Sequence, residues 1–326
     1  MNLHQRRVAP PASLVEALKA AKKVALFTHV NPDGDGLGSQ AALAEALEKL
    51  GKTVVVANHD ATPEQYAFLG LENRRGDASG ADTALSLDCP VLERLGERGR
   101  AAFEAAPVRL SIDHHVAREP FADPSWTVEA CAATGELIEA LVPALGVELT
   151  PRMATALYAA LVNDTGCFRH SNTDAHVFLL AARLLLAGAD NKDVNRRLLD
   201  EKPLRTVRLQ AEVLGRLRSL AGGRAALVGV SLAQLERHGA TWEDTDGLAE
   251  SLRGIAGVEV GAMLREEGPQ AVKLSLRSKY DFDVNRFASR WGGGGHAKAA
   301  GATLKMPFEE AVETVAETLE AALVGR

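Results

Sequence analysis

Four short segments hold the side chains in this sequence best able to do chemistry. In THVNPDGDGLGS (residues 28–39), His29, Asp33 and Asp35 share one loop, and the interleaved Gly34 and Gly36 give the backbone freedom to turn until the side chains converge. One imidazole and two carboxylates this close form an unusual local density of divalent-cation ligands. The plainer alternative is a turn with Asp35 as a helix N-cap, because Asp-Gly is common in turns. Asp88 closes the apolar run ALSLD (84–88); taken alone it reads equally well as a turn cap. SIDHHV (111–116) supplies Asp113, His114 and His115. Adjacent histidines cannot both face the same way, so one can ligate while the other addresses a substrate, and Asp113 can fix an imidazole tautomer by hydrogen bonding. In LVNDTGCF (161–168), Asp164 leaves an apolar helix just before Gly166. Oxygen and nitrogen donors of this kind suit divalent cations.

The elements that must position these residues follow from the apolar pattern. Buried strands are expected at residues 22–30, 53–57, 84–88 and 108–113, with a helix at 37–50 whose C-terminal cap is Gly51. Strands alternating with helices predict a parallel α/β sheet, and ligands of such sheets collect at the carboxyl ends of the strands, where His29, Asp88 and His114 follow directly. Further helices are expected at 131–145, at 151–162 with Thr150 as N-cap and Pro151 first, and at 173–188. Residues 191–221 read as an arginine-rich helical connector. Strands resume at 225–231, 259–264 and 271–277, and a last helix spans 308–323. The fold class expected is α/β: a parallel-sheet N-terminal domain over 1–190 with helices on both faces, the connector over 191–221, and a smaller C-terminal α/β domain with a mixed sheet over 222–326.

Composition narrows the function classes. The 326 residues carry a formal net charge of -6, which argues against a long nucleic-acid track, since backbone neutralisation dominates that affinity. It leaves room for small anionic substrates in a locally basic cleft. The cysteines, Cys89, Cys131 and Cys167, are odd in number and widely spaced, which fits a reduced compartment. No apolar run is long enough to span a bilayer, so no membrane partner and a cytoplasmic location are expected.

In order, HxxxDxD, a strand-end Asp88, DHH at 113–115 and ND-T-G at 163–166 resemble the DHH phosphoesterase family. The C-terminal stretches LRS (276–278), DVNRFA (283–288) and GGGGHAKAAG (292–301) resemble the DHH-associated domain, so the resemblance covers most of the chain. The two-domain layout is similar to the NrnA subgroup: hydrolases of short oligoribonucleotides (nanoRNA), several of which also remove the 3′-phosphate of 3′-phosphoadenosine 5′-phosphate (pAp). The resemblance implies a two-metal exonuclease-type hydrolase with six ligands. His29 and Asp33 would hold one ion, Asp35, His114 and Asp164 the other, and Asp88 would bridge them; imidazole ligands favour Mn²⁺ over Mg²⁺. His115 is then the candidate for contacting the scissile phosphate or protonating the leaving oxygen, oriented by Asp113.

In the C-terminal domain Gly293, Gly294 and Gly295 offer backbone N–H groups to an anion, His296 adds a ring donor, and Arg277 with Ser278 completes a phosphate-recognition set. The expectation is chemistry on the first domain and recognition on the second, acting on short RNA or small nucleotides, with the chain a candidate homodimer. His59, Asp60 and His170 read as turn and loop residues. The run Arg196, Arg197, Arg205 and Arg208 reads as a solvated helix face that could also guide anions. Two other readings stand beside the leading one. The first is a cyclic- or linear-dinucleotide phosphodiesterase of the same family, and the second a catalytically silent nucleotide-binding module.

Overall fold

A computed structural model describes residues 8–116 and 119–324, and the chain divides into two compact units, Met1–Glu201 and Lys202–Arg326. The first unit runs α1 (Ala12–Ala20), β1 (Lys23–Phe27), α2 (Gly34–Lys49), β2 (Thr53–Val56), β3 (Thr83–Leu87), α3 (Gly96–Glu104), β4 (Val108–Asp113), β5 (Ser125–Thr127), α4 (Thr134–Ala144), α5 (Pro151–Asp164), α6 (Ala175–Leu186) and α7 (Asn191–Asn195). Its five strands are all parallel, in the order β2-β1-β3-β4-β5. Apolar side chains leave both faces of the strands, so both must be covered. Val24, Leu26, Leu85, Leu87, Leu110 and Ile112 pack with α1, α2, α4 and α5 on one side. Ala25, Phe27 and Ala84 pack with Phe103 of α3 on the other, Phe27 and Phe103 meeting edge to face at 5.7 Å.

Local signals in the sequence explain the helix ends. Gly51 takes the left-handed φ of 76° and its N–H bonds the Glu48 carbonyl, closing α2. The Thr150 hydroxyl accepts the Met153 N–H at 3.1 Å, with Pro151 in the first turn of α5. At the start of α2, however, the expectation that Gly34 and Gly36 serve to turn the loop, and the alternative of Asp35 as N-cap, are corrected. Gly34 and Gly36 lie inside the helix, and the N-cap is Asp33, whose Oδ1 accepts the N–H groups of Asp35 (3.0 Å) and Gly36 (3.3 Å). The glycines are needed for space. A Cβ on Gly34 would stand 2.9 Å from Asn163 Cβ, and one on Gly36 would stand 2.2 Å from Thr28 Oγ1. No helix among the described residues is long and apolar enough to cross a membrane.

The second unit runs α8 (Leu204–Gly215), β6 (Arg218–Leu220), β7 (Ala225–Val230), α9 (Leu232–His238), α10 (Leu248–Gly254), β8 (Val260–Gly268), β9 (Ala271–Ser278), α11 (Val284–Ala288), β10 (Gly294–His296), β11 (Ala299–Leu304) and α12 (Phe308–Val324). Its mixed sheet has the order β10-β11-β9-β8-β7-β6, with only β7 and β8 parallel. One face packs on α11 and α12 through Leu274, Leu276, Phe287 and Leu319; the other packs on α8, α9 and α10 through Val228, Met263, Leu209 and Leu252. The segment 191–221 is therefore shared: Val194 of α7 is buried in the first unit's core, whereas Leu209 and Val213 of α8 are buried in the second. Arg196 and Arg197 pair with Asp193, and Arg205 pairs with Asp244, so much of the arginine run is locally neutralised.

Candidate metal centre

β1 and β3 are sheet neighbours, but the chain leaves β1 toward β2 on the opposite side, which opens a crevice at the carboxyl end of the sheet. His29 lies just past β1, Asp88 just past β3 and His114 just past β4, while Asp33 and Asp35 enter from the start of α2 and Asp164 from the end of α5. Asp88 has a left-handed φ of 57°, uncommon for a residue other than glycine, which turns its side chain sharply at the strand end. The ligand atoms form three groups, each within 4.8 Å: His29, Asp33 and Asp88; Asp35, His114 and Asp164; and Asp88, His114 and His115.

The histidines are aimed from behind. His29 Nδ1 lies 2.8 Å from the Val30 carbonyl and His114 Nδ1 3.2 Å from the Cys131 carbonyl, so each Nδ1 donates to a backbone oxygen and each Nε2 is the ring atom turned to the carboxylates. His29 Nε2 is 3.5 Å from Asp88 Oδ2 and 3.8 Å from Asp33 Oδ2. His114 Nε2 is 3.6 Å from Asp88 Oδ1, 3.7 Å from Asp35 Oδ2 and 3.1 Å from Asp164 Oδ2. Asp88 thus turns one oxygen to each histidine. His114 Nε2 is buried yet makes no well-directed hydrogen bond, although Asp164 Oδ2 lies 3.1 Å away. A mixed carboxylate and imidazole set with such gaps fits divalent cations.

The electrostatics carry the same message. Asp35 is fully buried and Asp88 is 1% exposed. Burial, then repulsion from Asp88, Asp164 and Asp33, pushes the Asp35 carboxyl well above its ordinary range. Burial also raises Asp88, against the pull of His29 and with the push of Asp33 and Asp164. Burial opposes charge on His29, but Asp33 and Asp88 override it and hold the ring up to about 10; Asp164 and Asp88 likewise hold His114 up to about 9. Protons are thus retained where a cation would relieve the same crowding.

Asp113 is buried; its Oδ1 accepts the N–H groups of His114 (2.8 Å) and His115 (3.2 Å) and lies 2.9 Å from His115 Nδ1. His115 is therefore tethered, with its side chain 38% exposed and its Nδ1 3.5 Å from Asp88 Oδ1. His170 lies in an exposed loop near the Asp164 carbonyl, and Asp60 accepts the Asn31 N–H at 2.7 Å.

Several supporting residues were not legible beforehand. The backbone N–H groups of Thr134 (2.6 Å) and Gly135 (2.9 Å), at the start of α4, bind the two oxygens of Asp35, and the Thr134 hydroxyl donates to Asp88 at 3.3 Å. Asn58 accepts from Thr28 N–H and is clamped by Gln40, fixing the end of β1. These contacts span 18 to 100 residues along the chain and leave no local pattern.

In the second unit, Arg277 pairs with Glu250 of α10, and Ser278 is buried with its hydroxyl donating to the Ala297 carbonyl at 3.3 Å, inside the sheet rather than on its surface. The segment expected to offer glycine N–H groups to an anion forms a hairpin, with β10 pairing Gly294 to Gly301 and His296 to Ala299. A Cβ on Gly293 would stand 2.2 Å from the Gly301 carbonyl, and one on Gly295 would stand 2.5 Å from the Ala299 carbonyl, so these glycines permit close strand approach. Gly294 and His296 are exposed.

This chain is 33% identical to the bifunctional oligoribonuclease and PAP phosphatase NrnA of Thermus thermophilus, over 94% of this chain and 92% of that protein. It is 26% identical to the NrnA of Bacillus subtilis, over 89% and 92%. An exopolyphosphatase-related protein from Bacteroides fragilis shares the whole architecture, with a TM-score of 0.88 and 26% identity over 96% of this chain and 97% of that one. Exonuclease RecJ, solved bound to manganese, shares the fold at a TM-score of 0.54 and 16% identity, over 96% and 93%. Residues 23–161 match the DHH family N-terminal domain and residues 225–325 match the DHHA1 domain, and the chain belongs to the DHH family.

Proposed function

We propose that this protein is a metal-dependent phosphoesterase that hydrolyses short oligoribonucleotides to mononucleotides and pAp to AMP. The observation that carries the reading is Asp88, whose two oxygens face two separately anchored histidines at the sheet's ligand edge. The relatives named for oligoribonuclease and PAP phosphatase activity support the choice of substrate.

In this reading His29 and Asp33 hold one divalent ion, Asp35, His114 and Asp164 hold a second, and Asp88 serves both, with Mn²⁺ favoured over Mg²⁺ by the imidazoles. Such ions, when bound, neutralise phosphoryl charge and make water more acidic. The protein's own residues do the rest. The Thr134 and Gly135 N–H groups hold Asp35 in one orientation, and Asp113 engages His115 Nδ1, leaving Nε2 as the atom that hands a proton to the departing ester oxygen. Water adds to phosphorus as the P–O ester bond breaks. His296 and Arg277 of the second unit serve recognition, Arg277 by exchanging Glu250 for a phosphate. The three free cysteines fit a cytoplasmic setting. Homodimerisation is a further part of the proposal, checked by light scattering.

The test is Mn²⁺-dependent release of mononucleotides from a labelled RNA ladder of two to ten nucleotides, run beside pAp and a cyclic dinucleotide. Turnover of the short RNAs and pAp is expected. Saturating Mn²⁺ binding without turnover of any of them would instead mark a binding module.

A further inference from the structure

The metal centre rests on two unlike supports. His29 and Asp33 are held by their own neighbours in the chain: His29 Nδ1 meets the Val30 carbonyl at 2.8 Å, and Asp33 caps α2 through the Asp35 and Gly36 N–H groups. Asp35 and His114 are instead tied to one short turn, residues 131–136, that leads into α4. Its Cys131 carbonyl meets His114 Nδ1 at 3.2 Å, and its Thr134 and Gly135 N–H groups bind both oxygens of Asp35. Two side chains outside the ligand set fix that turn.

The first is Glu136, 3% exposed, a carboxylate taken out of water inside the first unit. Its Oε1 accepts the Ala132 N–H at 2.6 Å, and its Oε2 lies 3.5 Å from Nε2 of His176. A plain capping box would reach back from this third helical position to the N–H of the N-cap, Ala133. The bond goes one residue further back instead, to the peptide whose other end is the Cys131 carbonyl. The C=O and N–H of a trans peptide share a plane and point opposite ways, so gripping the Ala132 N–H aims the carbonyl that meets His114. A carboxylate on that N–H also polarises the peptide and makes the carbonyl a stronger acceptor. The second is Asn172, on an exposed loop. Its Nδ2 donates to the Ala132 carbonyl at 3.2 Å and to the Asp164 carbonyl at 3.1 Å, which joins the turn to the end of α5 that carries the third ligand.

We propose that Glu136 and Asn172 are positioning residues that set the affinity of the Asp35, His114 and Asp164 site for its divalent cation and leave the His29 and Asp33 site alone. The proposal rests on the metal-dependent reading and deepens it: separate scaffolds grip the two cations, so one can be loosened while the other is kept. A carboxylate behind a ligating imidazole orients the ring and raises its basicity, and here the peptide between residues 131 and 132 carries that influence from Glu136 to His114. Helix capping alone does not account for the arrangement, because the Glu136 bond reaches past the N-cap and Asn172 belongs to no helix.

The experiment is calorimetric titration of the metal-free full chain with Mn²⁺, in which the wild type should show two sites. Glu136→Ala should weaken one site about 10–100-fold, the usual cost of losing such a supporting group, and leave the other within about twofold. Glu136→Gln keeps an acceptor for the Ala132 N–H and should restore the weakened site to within about fivefold of wild type. Asn172→Ala, at an exposed position, should weaken the same site about tenfold, and it carries the test should Glu136→Ala not fold. In a His114→Ala background, where the His29 and Asp33 site remains, neither change should lower affinity further. Equal weakening of both sites, or of neither, overturns the proposal, as does a further loss in that background. Should the wild type bind fewer than two ions, the two-ion reading fails on its own, and the ring N–H resonances of the metal-free protein then decide. Glu136→Gln should move that of His114 upfield, because a neutral acceptor polarises the peptide less, with that of His29 fixed. An unmoved His114 resonance overturns the positioning role.

Discussion

The two units handle charge in opposite ways. The first gathers carboxylates where water is excluded, with Asp35 and Asp88 essentially inaccessible, and holds them with backbone amides recruited from distant elements. The second keeps its charges closer to solvent, as where Arg277 of β9 meets Glu250 of α10. Buried like charges repel strongly and are screened little, so the first arrangement is a site that the fold holds against its own electrostatics. Exposed cations interact weakly and are screened by salt over about 8 Å under physiological conditions, so the second costs the fold almost nothing. A tight cation site requires the whole tertiary structure, whereas a grip on a polyanion requires only a strand register.

The comparison breaks most decisively at Asp88. Asp88→Asn should lower Mn²⁺-dependent turnover on the order of 10³-fold or more, because one carboxylate serves both ligand groups. The same change should raise the thermal midpoint of the metal-free protein by ~2–4 °C, about 1 kcal/mol, since a buried charge among like charges is removed. A fall in that midpoint would show the carboxylates to be compatible without a cation.

Metal removal comes next. Mn²⁺ at a hundred times its Kd should stabilise the first unit by about 2.7 kcal/mol and leave the second unit's transition unmoved, as followed by calorimetry with and without EDTA. The pH dependence of the metal-free protein sharpens the point. His29 and His114, raised to about 10 and about 9, contribute stability that is complete below their unfolded value near 6.5 and lost as pH rises through 9 to 10. Asp35 and Asp88, raised by burial and repulsion, also penalise the folded state as they ionise. The metal-free first unit should therefore lose stability steadily from pH 6 to 10; a flat profile in EDTA would count against the crowded centre.

Smaller effects are expected in the second unit. Gly293→Ala should destabilise it by about 1–3 kcal/mol in urea unfolding, because the new Cβ meets the Gly301 carbonyl and Ala302. His296→Ala or Arg277→Ala should raise KM for short RNA by about tenfold with unchanged Mn²⁺ affinity by calorimetric titration. An equal loss of metal affinity would dissolve the division between chemistry and recognition.

Much of the fold was readable because its signals are local. Apolar runs marked the four long strands of the first sheet, Thr150-Pro151 marked the start of α5, and Gly51 marked the end of α2. Short edge strands were not readable: β5, β6 and β10 are three residues each, and β10 is built of Gly-Gly-His, which no propensity would assign to a strand. The glycines of residues 34–36 were noticed, but for the wrong reason. The missing side chain of Gly34 leaves room for Asn163 of α5, more than a hundred residues later, and that of Gly36 leaves room for Thr28.

By itself the sequence determined which side chains can ligate, because residue type and its place at a strand or helix end are local properties set by hydrophobic period and capping. Only the tertiary structure decided which oxygens meet which nitrogens, why Asp35 is oriented by Thr134 and Gly135, and why Arg277 of β9 meets Glu250 of α10. Those depend on strand order and register, and pairings between distant segments arise from the packing of the whole unit, which no single stretch of chain encodes.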